Sequence, residues 1–291
     1  MAVGARLLAA VLLGALAAGC GQDASAVPAG PAAVRVTITR DYGATLLHER
    51  QAAPGQSAMN ALRRVSHVGT SYGGRFVQSI DGLAGDPSGH EGWLYFINGI
   101  APDVGATDMT LHPGDTEWWD RRYWSDLVQT PVAIGQWPEP FVHGYNGHHH
   151  PVSVRGLACS SALAASLRRA GARVTSGSSS YQVKVETFAQ AGGELTDWQG
   201  KGLTVSLSNG RVMVYRGPGG LSADPAAHAL IAGYQPPGAP GDAVTVVVAG
   251  DTEPAACAAA ARLAASPTLV RDTYAVALDG AGKVVAAGGR E

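Results

Sequence analysis

The sequence predicts an α+β protein built from a small α+β domain followed by an α/β sandwich domain. Three observations carry this. The 291 residues are 46% hydrophobic and only 15% charged, enough apolar matter for packed cores and too little charge for a disordered chain. Between residues 34 and 128 a hairpin, one helix and further strands follow one another. After residue 150 strand-helix units alternate with hairpins, and one run, Val244-Thr245-Val246-Val247-Val248, is continuously apolar and β-branched, the pattern of a strand covered on both faces.

Val34 to Thr39 alternates with period two, which predicts a half-buried strand. Asp41-Tyr42-Gly43 turns the chain into a partner strand at Ala44 to Glu49. Ser57 suits an N-cap, and Met59, Leu62 and Val65 follow at helical spacing. Strands are expected at Phe76–Ile80, closed by Asp81-Gly82, at Trp93–Ile97, closed by Asn98-Gly99, and at Thr116–Trp119.

The first twenty residues bear on compartment. Arg6 precedes a twelve-residue apolar run, Leu7 to Ala18. Twelve helical residues span about 18 Å, short of a bilayer core of roughly 30 Å, so the run reads as a secretory signal. Ala17-Ala18-Gly19-Cys20 resembles a bacterial lipobox, with Leu16 one place earlier than the commonest pattern. The resemblance implies cleavage before Cys20 and a palmitate-type lipid on the Cys20 thiol, holding the protein on the outer face of the cell membrane. The alternative is an ordinary signal cut near Ala18; both export the protein. Residues 1–19 are then the signal, and the Gly, Ala, Pro and Ser of 20–33 a flexible tether.

Gln56 to Leu62, Phe76 to Gly82, Gly92-Trp93-Leu94-Tyr95-Phe96-Ile97-Asn98-Gly99 and Pro113-Gly114-Asp115 together resemble the transcobalamin-like C-terminal β-grasp family, a bacterial surface domain of unknown function. The resemblance covers about residues 34–124. It implies a β-grasp-like fold and non-enzymatic use, either capture of a vitamin-like or corrinoid-like small molecule for an importer or display on the envelope. The matching residues themselves are turn glycines and core aromatics, so the ligand does not follow from them.

Five of the six tryptophans lie between Trp93 and Trp137. Side chains alternate along a strand, so Trp118 and Trp119 face opposite ways and cannot enter one core. One reading makes Trp93, Tyr95, Trp118 and Trp119 a stacking platform for a planar ligand. The other makes them plugs in the core or between domains.

Residues 129–150 carry three prolines, several glycines, His143 and the run His148-His149-His150, and read as an interdomain connector. Neighbouring histidines on extended chain diverge, so the expectation is a solvated polar loop and no metal site.

In residues 151–291, Val152–Arg155 is a strand and Leu157–Ala170 a helix stopped by Gly171. Strands are expected at Tyr181–Phe188, and a hairpin joins Leu203–Leu207 to Val212–Tyr215 through Asn209-Gly210. Asp251 or Thr252 caps a helix with Pro254 in its first turn, running to about Ala264. Tyr274–Leu278 and Lys283–Ala286 pair across a turn. Val152–Gly171 and Val244–Ala265 look like two copies of one strand-helix unit, each with a cysteine, Cys159 and Cys257. In an oxidising compartment these can form a disulfide; the alternative is two buried thiols.

Catalytic patterns are sparse. Gly69-Thr70-Ser71-Tyr72-Gly73 fits G-x-S-x-G, but a hydrolase elbow needs a strand before and a helix after, whereas here a helix is expected before and a strand after. Gly280-Ala281-Gly282-Lys283 lacks the hydroxyl that would hold magnesium and reads as a turn. With 21 basic against 23 acidic residues the chain lacks the basic excess that nucleic-acid binding needs. The expectation is an exported, lipid-anchored, non-enzymatic ligand-binding protein without cofactor, or else an envelope interaction module.

Overall fold

A computed structural model describes Met1 and residues 32–290. Contacts divide the chain into Met1–Gly30 and Pro31–Glu291, and every described strand and helix belongs to the second unit. The signal segment and Cys20 lie outside the described residues. Among the described residues no helix is long and apolar enough to cross a membrane.

Strand β1 (Val34–Arg40) turns at Asp41, Tyr42 and Gly43 into β2 (Thr45–Ala52). Helix α1 (Ala58–Val65) starts where the Ser57 hydroxyl accepts the Asn60 N–H. Next come β3 (Val68–Ser71), β4 (Phe76–Ile80) and β5 (Leu83–Ala84), a small sheet of their own. β6 (Glu91–Ile97) and β7 (Thr116–Tyr123) complete the main sheet, in the order β2-β1-β7-β6. β1 and β7 run parallel at its centre and the outer pairs are antiparallel. The fold class is α+β, with the central parallel pair of a β-grasp.

Both faces of this sheet are buried, by different means. Val34, Val36, Ile38 and Trp119 join Met59 and Leu62 of α1 in one core. Thr37 and Thr39, on the opposite face, are also buried, at 4% and 0% exposure. The half-buried reading of β1 is therefore corrected: its alternation separates an apolar face from a hydroxyl face, and both are covered. The second face meets the rest of the chain through Tyr42, Phe96, Trp118, Tyr215 and Tyr274, an aromatic cluster.

Residues 129–150 do not form a solvated loop over most of their length. Val132, Ile134, Trp137, Phe141 and Tyr145 are buried and belong to the core that also holds Met59 and Val183. Gly233 makes this possible, because a methyl there would lie 2.5 Å from Val132 Cγ1. The histidines stay near the surface. His143 Nδ1 lies 2.7 Å from Glu139 and His150 Nε2 2.7 Å from Asp242.

The large sheet is built from β8 (Val152–Gly156), β9 (Val174–Thr175), β10 (Tyr181–Thr187), β14 (Ala229–Tyr234), β15 (Val244–Gly250), β16 (Val276–Leu278) and β17 (Val284–Ala287), in the order β17-β16-β14-β15-β10-β8-β9. β11 (Val205–Ser208), β12 (Arg211–Tyr215) and β13 (Leu221–Ala223) form a separate meander. Helices α2 (Ser160–Ala170) and α5 (Glu253–Ala265) pack side by side, while α3 (Phe188–Ala191) and α4 (Trp198–Lys201) are single turns. β15 is buried at every residue, between parallel β10 and antiparallel β14. The two strand-helix units flank β10 in parallel, and a disulfide joins Cys159 to Cys257 with their Cα atoms 5.6 Å apart. Sequence periodicity misses β14, since Ala229, Ala232 and Gly233 dilute its apolar signal.

Candidate ligand cleft and open strand edge

The β-grasp sheet ends on β6, and its outer edge has no strand partner among the described residues. At one end Glu91 exchanges backbone hydrogen bonds with Asp86, at 2.8 and 3.0 Å. At the other, Ile97 exchanges a pair with Ile100, both at 2.9 Å. In an antiparallel ladder the peptide groups alternate in direction. The N–H and C=O groups of Trp93 and Tyr95, between these two residues, therefore also point away from β7.

Two clefts flank this edge. The larger, about 550 Å³, runs between β4 and β6 and is walled by Phe76, Val77, Trp93, Leu94, Trp124 and Val128. The smaller, about 360 Å³, continues past Leu94 and Val128 to Tyr95, Ala101, Pro102 and Gln129. Val128 is 60% exposed and Phe76 50% exposed, so the rim of the groove is apolar as well as its walls. The Trp93 indole is held by its Nε1–H, which donates to Leu83 O at 3.1 Å. Arg121 braces the floor by donating to Ala84 O at 2.7 Å and to the Glu91 carboxylate at 2.5 Å. That pairing neutralises the one carboxylate of the larger cleft. The result is an apolar slot with a short row of main-chain donors and acceptors along one side, the usual make-up of a site for a mostly apolar ligand.

The four aromatic side chains, candidates for a ligand platform on one reading and for core plugs on the other, divide. Trp93 and Tyr95 border the clefts. Trp118 and Trp119 do not, at 0% and 3% exposure. Their opposed directions are satisfied by two cores. Trp119 stacks on Tyr95 on the α1 side, centroids 4.9 Å apart, and Trp118 packs against Phe96 and Tyr274 on the other. Neither leaves a ring face for a ligand, so both are corrected to core residues. Phe76, Leu94, Trp124 and Val128 were missed. Trp124 shares the aromatic-rich stretch, but Val128 has no sequence signal, since only tertiary packing brings it beside β6.

Behind the sheet lies a buried polar cluster. Asp120 accepts from the Thr39 hydroxyl at 2.6 Å, the Tyr274 hydroxyl at 2.9 Å and the Gly43 N–H at 3.1 Å. Burial raises its carboxyl to about 6 against these bonds. Arg122 donates to Leu127 O at 2.8 Å and stands over the Tyr42 and Tyr274 rings at 5.1 and 5.5 Å. Glu117, on the α1 face, accepts only from Trp119 Nε1, at 2.5 Å, and its Oε2 has no partner. Burial pushes it up to about 8. All three side chains are closed off from the clefts, so they serve the fold.

Other reactive groupings do not assemble. Ser71 ends β3 and is followed by a single 3₁₀ turn at the hairpin tip, with neither the helix a nucleophile elbow requires nor a histidine bonded to it. Ser66 and Asp81 both bond to the same His48 nitrogen, Nε2, at 3.0 and 2.7 Å, so no proton can pass through that imidazole from one to the other. Among the described residues no group of three His, Cys, Asp or Glu side chains could hold a metal.

Residues 55–122 match a family described as a domain of unknown function, DUF4430, so the match begins after the first hairpin and takes in α1 through most of β7. No curated protein matches. Solved structures similar over part of the chain include a protein of Ruminococcus gnavus proposed to bind metal, 14% identical over 32% of this chain and 97% of its own, with a TM-score of 0.27. Another is haptocorrin in complex with Cbi, 10% identical over 32% of this chain and 25% of its own, with a TM-score of 0.26.

Proposed function

We propose that this chain is an exported, non-enzymatic binding protein, anchored by lipid at Cys20, that captures a vitamin-like or corrinoid-like small molecule in the groove along β6. The observation that carries it is the 550 Å³ apolar cleft with Trp93 and Trp124 in its walls. Most of that cleft falls within the residues matched to the family of unknown function. A vitamin-like or corrinoid-like molecule offers a ring face to the apolar walls and amide groups at its margin to the peptide groups of Trp93 and Tyr95. Handover to an importer would follow from a position on the outer face of the membrane.

Titration of tryptophan fluorescence and melting temperature against corrinoids and other vitamin-like cofactors tests this. Binding that shifts both in the parent and neither in Val128→Arg supports the reading; a panel without any shift defeats it. Anchoring is tested apart, since Cys20→Ser should come off the membrane in about 1 M salt while the parent stays bound.

The open edge favours a second reading, an interaction module to which a partner adds one extended strand. Amide exchange at Trp93 and Tyr95 that slows with a co-purifying protein and with no small molecule would select it.

A further inference from the structure

We propose that the tip of the β3–β4 hairpin, with the arginine face of α1 beside it, docks on an anionic lipid bilayer. Residues 50–80 contain Arg50, Arg63, Arg64 and Arg75 and no Asp or Glu, whereas the remainder of residues 34–128 sets four Arg against eleven carboxylates. The domain is thus acidic overall yet strongly polarised, and an anionic surface would turn this lobe towards itself. Arg63, Arg64 and Arg75 are exposed, and among the described residues none forms an ion pair. A methyl on Gly74 would lie 3.4 Å from Arg63 Nη2, which puts that guanidinium beside the tip.

The tip itself displays two aromatic rings. Tyr72 is 84% exposed and Phe76 50% exposed, packed edge to face with centroids 6.3 Å apart. Tyr72 adopts φ +50°, a conformation that costs a side-chain-bearing residue on the order of 1 kcal/mol. No burial of Tyr72 offsets that cost. Aromatic rings with polar ends settle at the headgroup level of membranes, and flanking arginines add attraction to anionic lipid. An acidic protein surface would satisfy the charges but gives no reason for the protruding ring pair. Docked this way, Phe76 at the rim would bring the cleft mouth to the interface, where apolar molecules concentrate. The inference rests on the proposed export for the location of the membrane, but its test does not use the anchor.

The test uses the chain from Gly21 onward, without lipid, sedimented with phosphatidylcholine vesicles that contain or lack phosphatidylglycerol. Partition onto the anionic vesicles alone is expected, falling about fivefold for Arg63→Gln and again for Arg75→Gln. Tyr72→Ser with Phe76→Ser should lower it roughly tenfold. Salt at about 1 M should release the protein, because screening then acts within about 3 Å. Equal partition on both vesicles, or unchanged partition of an aromatic double variant that melts like the parent, overturns the proposal. So does a chain retained on polyglutamate but on neither vesicle, which would assign the surface to an acidic protein. Retention of Cys20→Ser on the membrane through a wash at about 1 M salt, which releases the docked tip, would instead count against the anchoring reading.

Discussion

In Glu117→Gln a carboxyl oxygen becomes an amide nitrogen, so the variant removes a titration while keeping the shape of the side chain. Glu117 is fully buried, its one hydrogen bond comes from Trp119, and burial lifts its carboxyl from 4.5 to about 8. Below pH 4.5 folded and unfolded chains both hold the proton, and this group favours neither. Between pH 4.5 and 8 only the folded chain holds it, so stability falls by about 1.4 kcal/mol per pH unit. Three to four units of separation make the full loss about 4–5 kcal/mol. Above pH 8 the folded chain carries a buried anion and the loss is complete. The assay is urea unfolding of parent and Glu117→Gln at unit steps from pH 5 to 9. The other titrating groups cancel in the difference between the two proteins. The new amide brings an unpartnered N–H₂ where the protonated acid has an unpartnered O–H, so the variant should begin level or about 1 kcal/mol weaker at pH 5. It should then overtake the parent, leading by several kcal/mol at pH 9. Two curves that stay parallel from pH 5 to 8 would refute the buried, protonated Glu117.

Three further outcomes are expected. Cys257→Ser opens a loop closed over 98 residues and should lower stability by about 2–5 kcal/mol in urea, matched by reducing the parent. Gly233→Ala drives a methyl into Val132 and should cost about 1–3 kcal/mol, with protease cutting appearing in residues 129–150 if that segment is displaced. Val128→Arg should change stability by no more than about 0.5 kcal/mol, because the side chain is 60% exposed, while blocking both clefts, as read by loss of any ligand-induced fluorescence change.

Local chemistry made much of the architecture legible in the sequence. The Ser57 cap, the Asn98-Gly99 and Asn209-Gly210 turns and the β-branched run of β15 each depend on a few adjacent residues and stand where sequence places them, and of the two caps it offers for α5 the fold uses Thr252. The same locality explains what it misses. Alternation shows that Trp118 and Trp119 point apart, but not that a second core waits for Trp118 behind the sheet. Composition makes residues 129–150 resemble a linker, because proline and glycine weaken helix and strand signals whether or not the chain is buried. Only the approach of Val132 to Gly233, some hundred positions later, shows that it is packed. Of the candidate site, sequence identifies Trp93 and Tyr95, whose aromatic strand is a local feature. The cleft itself is a gap between β4, β6 and Val128, and a gap belongs to no residue. Periodicity and turn chemistry report on neighbours along the chain, whereas burial, cavities and free strand edges depend on which distant segments come together, and only the tertiary structure decides that.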